Sequence, residues 1–248
     1  MHAEWTKLRT VGSTGWLVLA TIALTVGLSA AAAAAVRCPS GSCHQDVAKV
    51  SLTGIFLGQT VVAILAVLVI CGEYSSGMIR TTLTATPRRS AVLAAKAAVV
   101  SGVVLVAGAT AVLGSLIAAR PLLPGNGGAS LSLGDGPTLR AAVGSVLYLA
   151  LIALLSLGVA TAVRDAAIAI GVVLGLLFLF PILTAVVSDP HWQRHLQQIA
   201  PMNAGLAIQS TTNLADMPIG PWAGLGVLAA WAAAALLSGG LVLRLRDA

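Results

Sequence analysis

His191 and His195 stand four residues apart, a spacing that puts two imidazoles on one face of a helix where they could hold a zinc ion. The metalloprotease form of that motif needs a Glu directly after the first His, and here Trp192 occupies the place. Two solvated loop histidines are therefore the expectation. Cys38 and Cys43 bracket Pro39-Ser40-Gly41-Ser42, with His44 adjacent. Two thiols and one imidazole fall short of the four ligands of a structural zinc site, so no metal is expected there. A short Pro/Gly turn can bring the two sulfurs within bonding range, and a disulfide and two free thiols both stay open. The chain has no Gly-x-x-x-x-Gly-Lys-Ser/Thr loop for nucleotide phosphates, no Gly-x-Ser-x-Gly elbow and no visible nucleophile–base pair. By itself it is not expected to be an enzyme, nor to hold a cofactor of its own.

The elements that carry these residues follow from composition. Of 248 residues 58% are hydrophobic and only 9% charged, and the mean hydropathy is +0.96. Soluble domains carry about 25% charge, and disorder requires low hydrophobicity, so neither class fits. Aromatics are 4% and the apolar mass is Ala, Leu, Val, Gly and Ile, which suits an all-α membrane protein and not an outer-membrane barrel. At about 20 apolar residues per crossing, six spans are predicted: Gly15–Val36, Val50–Cys71, Ala91–Ala119, Leu139–Val163, Ala166–Val187 and Trp222–Leu243. The third is long enough to tilt or kink, and only Arg164 and Asp165 part the fourth from the fifth, which predicts a tight helical hairpin. With the N-terminus inside, nine Lys and Arg face the cytoplasm and five face out, so both termini are expected inside. The net charge of +6 is then a matter of topology, and no nucleic-acid partner is expected.

Trp5, Leu8, Val11 and Trp16 fall near one helical face beside Lys7 and Arg9; an interfacial helix over residues 1–14 and a plain flanking segment with belt tryptophans both account for them. The Ala30–Ala35 run imitates a signal-peptidase site, but the apolar region before it exceeds the usual 7–15 residues of a cleaved signal, so a retained helix is expected. The Gly/Pro-rich stretch Arg120–Thr138 reads as a flexible outer loop. In Ser188–Pro221, Trp192, Leu196 and Ile199 recur at helical spacing until Pro201 breaks the pattern, which predicts short helices at the outer leaflet. Cys71 is expected to be a buried free thiol. Glu73, Asp165 and Asp247 sit at or beyond span ends, which argues against a proton-driven carrier, and Lys96 is expected to snorkel to the interface. Leu237-Ser238-Gly239-Gly240-Leu241 imitates the signature peptide of ABC ATPases but lies within the last span, where small residues suit a helix contact.

The polar, basic stretch Glu73–Lys96 (EYSSGMIRTTLTATPRRSAVLAAK) joins the second and third spans. It resembles the corresponding segment of the type-2 ABC exporter permease family. There an acidic residue leaves the second span, a Ser-Gly-x-Ile-Arg turn follows, and a Thr-Pro-x-x-Arg stretch leads to a Lys opening the third span. Glu73, Ser76, Gly77, Ile79, Arg80, Thr86, Pro87, Arg89 and Lys96 stand in those places, with Met78 where the family more often has Thr. Glu4–Arg9, Arg164-Asp165, Pro181, Pro201-Met202-Asn203-Ala204 and Arg246-Asp247-Ala248 are also similar to actinobacterial permeases of this family, so the likeness spans essentially the whole chain.

The resemblance implies two permease chains, identical or related, over two separate P-loop ATPase subunits that bind ATP and Mg. It implies a coupling helix within Ser75–Ala85 that docks on the ATPase, with Glu73 and Arg80 as polar contacts, and a pathway between the permeases lined by the second and fifth spans. Both spans carry Gly-x-x-x-Gly, at Gly54/Gly58 and Gly171/Gly175, which serves close helix approach either between chains or within one. Phe56, Gln59, Thr60 and Phe178 are the expected lining. An apolar lining suits a hydrophobic or amphipathic cargo such as a drug, a peptide or a lipid. A bacterial plasma-membrane location follows from the same likeness. The competing expectation is a stand-alone membrane immunity or assembly protein without transport.

Overall fold

A computed structural model describes residues 12–36, 46–78, 89–123 and 134–245. Among these the chain is all-α, with six helices long and apolar enough to cross a membrane. They are α1 (Gly12–Ala35), α3 (Ile55–Ser75), α4 (Arg89–Ala119), α5 (Gly136–Val163), α6 (Ala166–Val186) and α9 (Pro221–Leu245). Between them lie the short helices α2 (Val47–Ser51), α7 (Pro190–Ile199) and α8 (Pro201–Leu206), and 3₁₀ turns at Ala207–Gln209 and Leu214–Asp216. This is a multi-pass membrane protein.

Helix α5 is the axis of the bundle: α3, α4, α6 and α9 all pack on it. In its most apolar stretch 61% of residues are buried, against 17% in α6, which lies at the periphery. Hydrophobicity does not separate the two, because in lipid it drives no helix association; small residues decide which faces close up. A Cβ on Gly158 of α5 would lie 2.4 Å from the Ala235 carbonyl carbon of α9, and one on Gly239 would lie 2.6 Å from the Gly158 carbonyl oxygen. The small residues of Leu237–Leu241 thus serve a helix contact, as the sequence predicts.

The helix ends explain the connections. Arg164 takes a left-handed conformation (φ 67°) and its amide bonds to the Ala160 carbonyl, closing α5. Asp165 then caps α6 by accepting from the Ile168 amide at 2.9 Å, so two residues suffice for the predicted hairpin. Asp189 caps α7 in the same way through the His191 amide at 2.8 Å, with Pro190 in the first turn. Helix α6 runs through Pro181 without a break, and α4 is continuous over 31 residues. The second span departs most from expectation. Its predicted start at Val50 falls in the separate helix α2, and the long helix begins at Ile55 and ends at Ser75, past Cys71 and Glu73. Residues 1–11 lie outside the described part, and α1 is already helical from Gly12.

Candidate functional site

Two regions gather the residues singled out by sequence. At one end of the bundle, Lys96 Nζ of α4 lies 2.7 Å from Glu73 Oε1 of α3, and the side chains are 1% and 6% exposed. Lys96 does not snorkel, and Glu73 is within its helix, not beyond it. Lys96 is seven residues into α4, about 10 Å deep at 1.5 Å per residue. Its ammonium is out of water and is compensated inside the protein instead. The pairing also compensates the buried carboxylate that α3 carries past Cys71. Cys71, two residues earlier, is buried and free, as expected.

Beside the pair, the Arg164 guanidinium lies 5.5 Å from the centre of the Tyr74 ring, and its Nη2 is 3.4 Å from the Val242 carbonyl of α9. The last turn of α3, the α5–α6 turn and the end of α9 are therefore joined, and Glu73–Lys96 adds α4. Ser76 caps the end of α3 through its hydroxyl, 2.7 Å from the Gly72 carbonyl, and Gly77 turns the chain out at φ 70°. Of the expected coupling residues, Glu73, Ser76 and Gly77 are described. Ile79, Arg80, Thr86 and Pro87 lie outside the described residues, as does the side chain of Arg89. Cys38 and Cys43 lie outside them too.

The expected pathway residues divide into two groups. Gly54, Gly58 and Gln59 are buried within the chain. The Gly54 amide donates to Ser29 Oγ at 3.0 Å, and Cβ atoms on Gly54 and Gly58 would lie 1.8 Å from the Thr25 carbonyl oxygen and 2.3 Å from Thr25 Oγ1, so this Gly pair closes α3 on α1. Gln59 accepts from the Tyr148 hydroxyl and its amide nitrogen is 3.3 Å from Met202 Sδ, which binds α3, α5 and α8 together. These three are buried in packing between helices of this chain. The other group faces outward. Phe56 is 41% exposed and meets Phe178 edge-on at 5.5 Å; Thr60 is half-buried; a Cβ added to Gly171 or Gly175 would meet nothing within 4 Å.

At the opposite end Asp46 does two jobs that no motif announced. It caps α2 by accepting from the Lys49 amide, and it accepts from the amides and hydroxyls of Thr211 and Thr212, 165 residues on. Arg140 Nη2 holds the neighbouring Ser210 carbonyl at 2.7 Å. Burial pushes the Asp46 carboxyl upward, but hydrogen bonds from Thr211, Lys49 and Thr212 outweigh it and leave the group below its ordinary value. A depressed carboxylate stabilises the fold above its unfolded pKa, and that contribution is lost as pH falls through the folded value. The thermal midpoint of the detergent-solubilised chain is expected to fall below about pH 4. Asp46→Ala is expected to cost about 1–2 kcal/mol at neutral pH and to remove this part of the acid sensitivity. An unchanged pH profile in the variant would contradict the assignment.

His191 and His195 lie on α7, not in a loop, both exposed with ring centres 4.5 Å apart, and no group of three ligating side chains occurs among the described residues. No protein-family model matches the chain, and no curated protein matches it in sequence.

Proposed function

We propose that this chain is the membrane-spanning subunit of an ATP-driven exporter of the type-2 ABC permease kind, paired with an identical or related permease and driven by two separate P-loop ATPase subunits. The reading rests on the resemblance of Glu73–Lys96 and is supported by one observation above the others: the buried Glu73–Lys96 pair stands at the root of that segment. A push on the segment would turn α3 and α4 together, as a rigid body and not as two sliding helices. Glu73 then acts as a positioning residue through Lys96, and Arg80 is the contact to the partner. In this reading the end that carries Glu73 faces the cytoplasm of a bacterial cell, with both termini on that side, and ATP and Mg bind to the partner alone. The face carrying Phe56, Phe178, Gly171 and Gly175 is where the second permease would pack, with a hydrophobic or amphipathic cargo passing between the two.

The test is ATP hydrolysis by the chain isolated with its partners and reconstituted into vesicles. Arg80→Ala is expected to leave the chain inserted and to lower cargo-stimulated turnover about fivefold or more, the range of a coupling free energy between sites. Wild-type turnover with unchanged export would sink the coupling role.

A further inference from the structure

Beneath the segment clasped by Asp46 lies a cavity of about 270 Å³. Its polar lining is Lys49, Gln197, Asn203 and Ser210, and its apolar lining includes Met217 and Ile219. No carboxylate lines it. Among the described residues the Lys49 ammonium has no ion-pair partner, and the side-chain amides of Gln197 and Asn203 make no hydrogen bond. Asp46, three residues before Lys49, does not neutralise it through a side-chain contact, because its oxygens are filled by Thr211, Thr212 and the Lys49 backbone amide. The cavity lining therefore offers one cation and several donors, and the nearest carboxylate, Asp46, is already engaged by Thr211, Thr212 and the Lys49 amide. That electrostatic character selects an anion.

The surroundings narrow the class. Trp192 on α7 and Trp222 in the first turn of α9 are 63% and 57% exposed, as in the aromatic belts that mark the head-group level of a bilayer. The volume is below the roughly 300–1,000 Å³ of sites that enclose a whole drug-sized ligand. It has room for a head group and the start of a chain, while the rest of an amphiphile lies in the adjoining bilayer. We propose that this cavity is a binding site for an amphiphile with a net-negative phosphate head group, the head held by Lys49, Gln197 and Asn203 and the chain leaving past Met217 and Ile219. The site is independent of any ATPase partner.

Native mass spectrometry of the full chain released from detergent tests this, with short-chain phosphatidylglycerol, short-chain phosphatidylcholine and inorganic phosphate as probes. One saturable phosphatidylglycerol adduct is expected, weakened about fivefold by Lys49→Ala, since a lysine near an anionic head contributes about that factor. Asn203→Ala is expected to weaken it as well. Arg194→Ala, an exposed cation on α7 that does not line the cavity, is expected to leave it unchanged. Phosphatidylcholine binding as tightly as phosphatidylglycerol, or an adduct indifferent to Lys49→Ala and Asn203→Ala, would overturn the proposal. Displacement of the lipid by inorganic phosphate at equal concentration would overturn the amphiphile and leave a site for a free anion.

Discussion

Glu73→Gln and Lys96→Met, made singly, are each expected to destabilise the chain by about 3 kcal/mol, read as a lower thermal midpoint in detergent. Each single change leaves one charge buried without its main counter-charge, and that unpaired charge is the source of the loss. An exposed pair of the same types would cost about 1 kcal/mol or less to break. The difference rests on the geometry: 2.7 Å between the atoms, with side-chain exposures of 1% and 6%. The double variant Glu73→Gln/Lys96→Met is expected to recover most of the stability, because removing both charges removes the desolvation cost along with the attraction. Single variants as stable as the parent would mean that the pair is hydrated. A double variant no better than the worse single would mean that these side chains act through other partners.

Gly158→Val is expected to cost about 3 kcal/mol or more and to disrupt the packing of α5 on α9. A Cβ there would sit 2.4 Å from the Ala235 carbonyl carbon and 2.5 Å from the Leu236 amide nitrogen. Those are backbone atoms, so no rotamer change can relieve the contact and one helix must move off the other. The same substitution at Gly171 is the control. Nothing lies within 4 Å of a Cβ at that position, so the isolated chain should tolerate it within about 0.5 kcal/mol. Equal effects at the two sites would contradict the packing described for α5 and α9.

The number of spans, the two-residue hairpin at Arg164-Asp165 and the break at Pro201 were legible in the sequence. Each depends on a local property: run length, a charged turn between apolar runs, or a missing amide proton. The two Gly-x-x-x-Gly pairs were ambiguous because the motif records only that a backbone can come close, not which helix approaches. Gly54 and Gly58 meet α1, whereas a Cβ on Gly171 or Gly175 would have no other helix within 4 Å. Lys96 was read from its distance to the span end, since the carboxylate that pairs with it lies 23 residues away on another helix. Asp46 with Thr211 and Thr212, and Gln59 with Tyr148 and Met202, are contacts across 89 to 166 residues that no local spacing encodes.

The most direct test of the exporter reading is to isolate the full chain, tagged at its C-terminus, from the native membrane in mild detergent and to identify by mass spectrometry what accompanies it. The prediction is a P-loop ATPase in stoichiometric amount, lost when Ser75–Ala85 is altered and retained in Arg194→Ala, a change on the exposed face of α7. A chain that purifies alone and without ATP hydrolysis, under conditions that preserve its fold, would contradict that reading and favour a membrane protein that works without an ATPase.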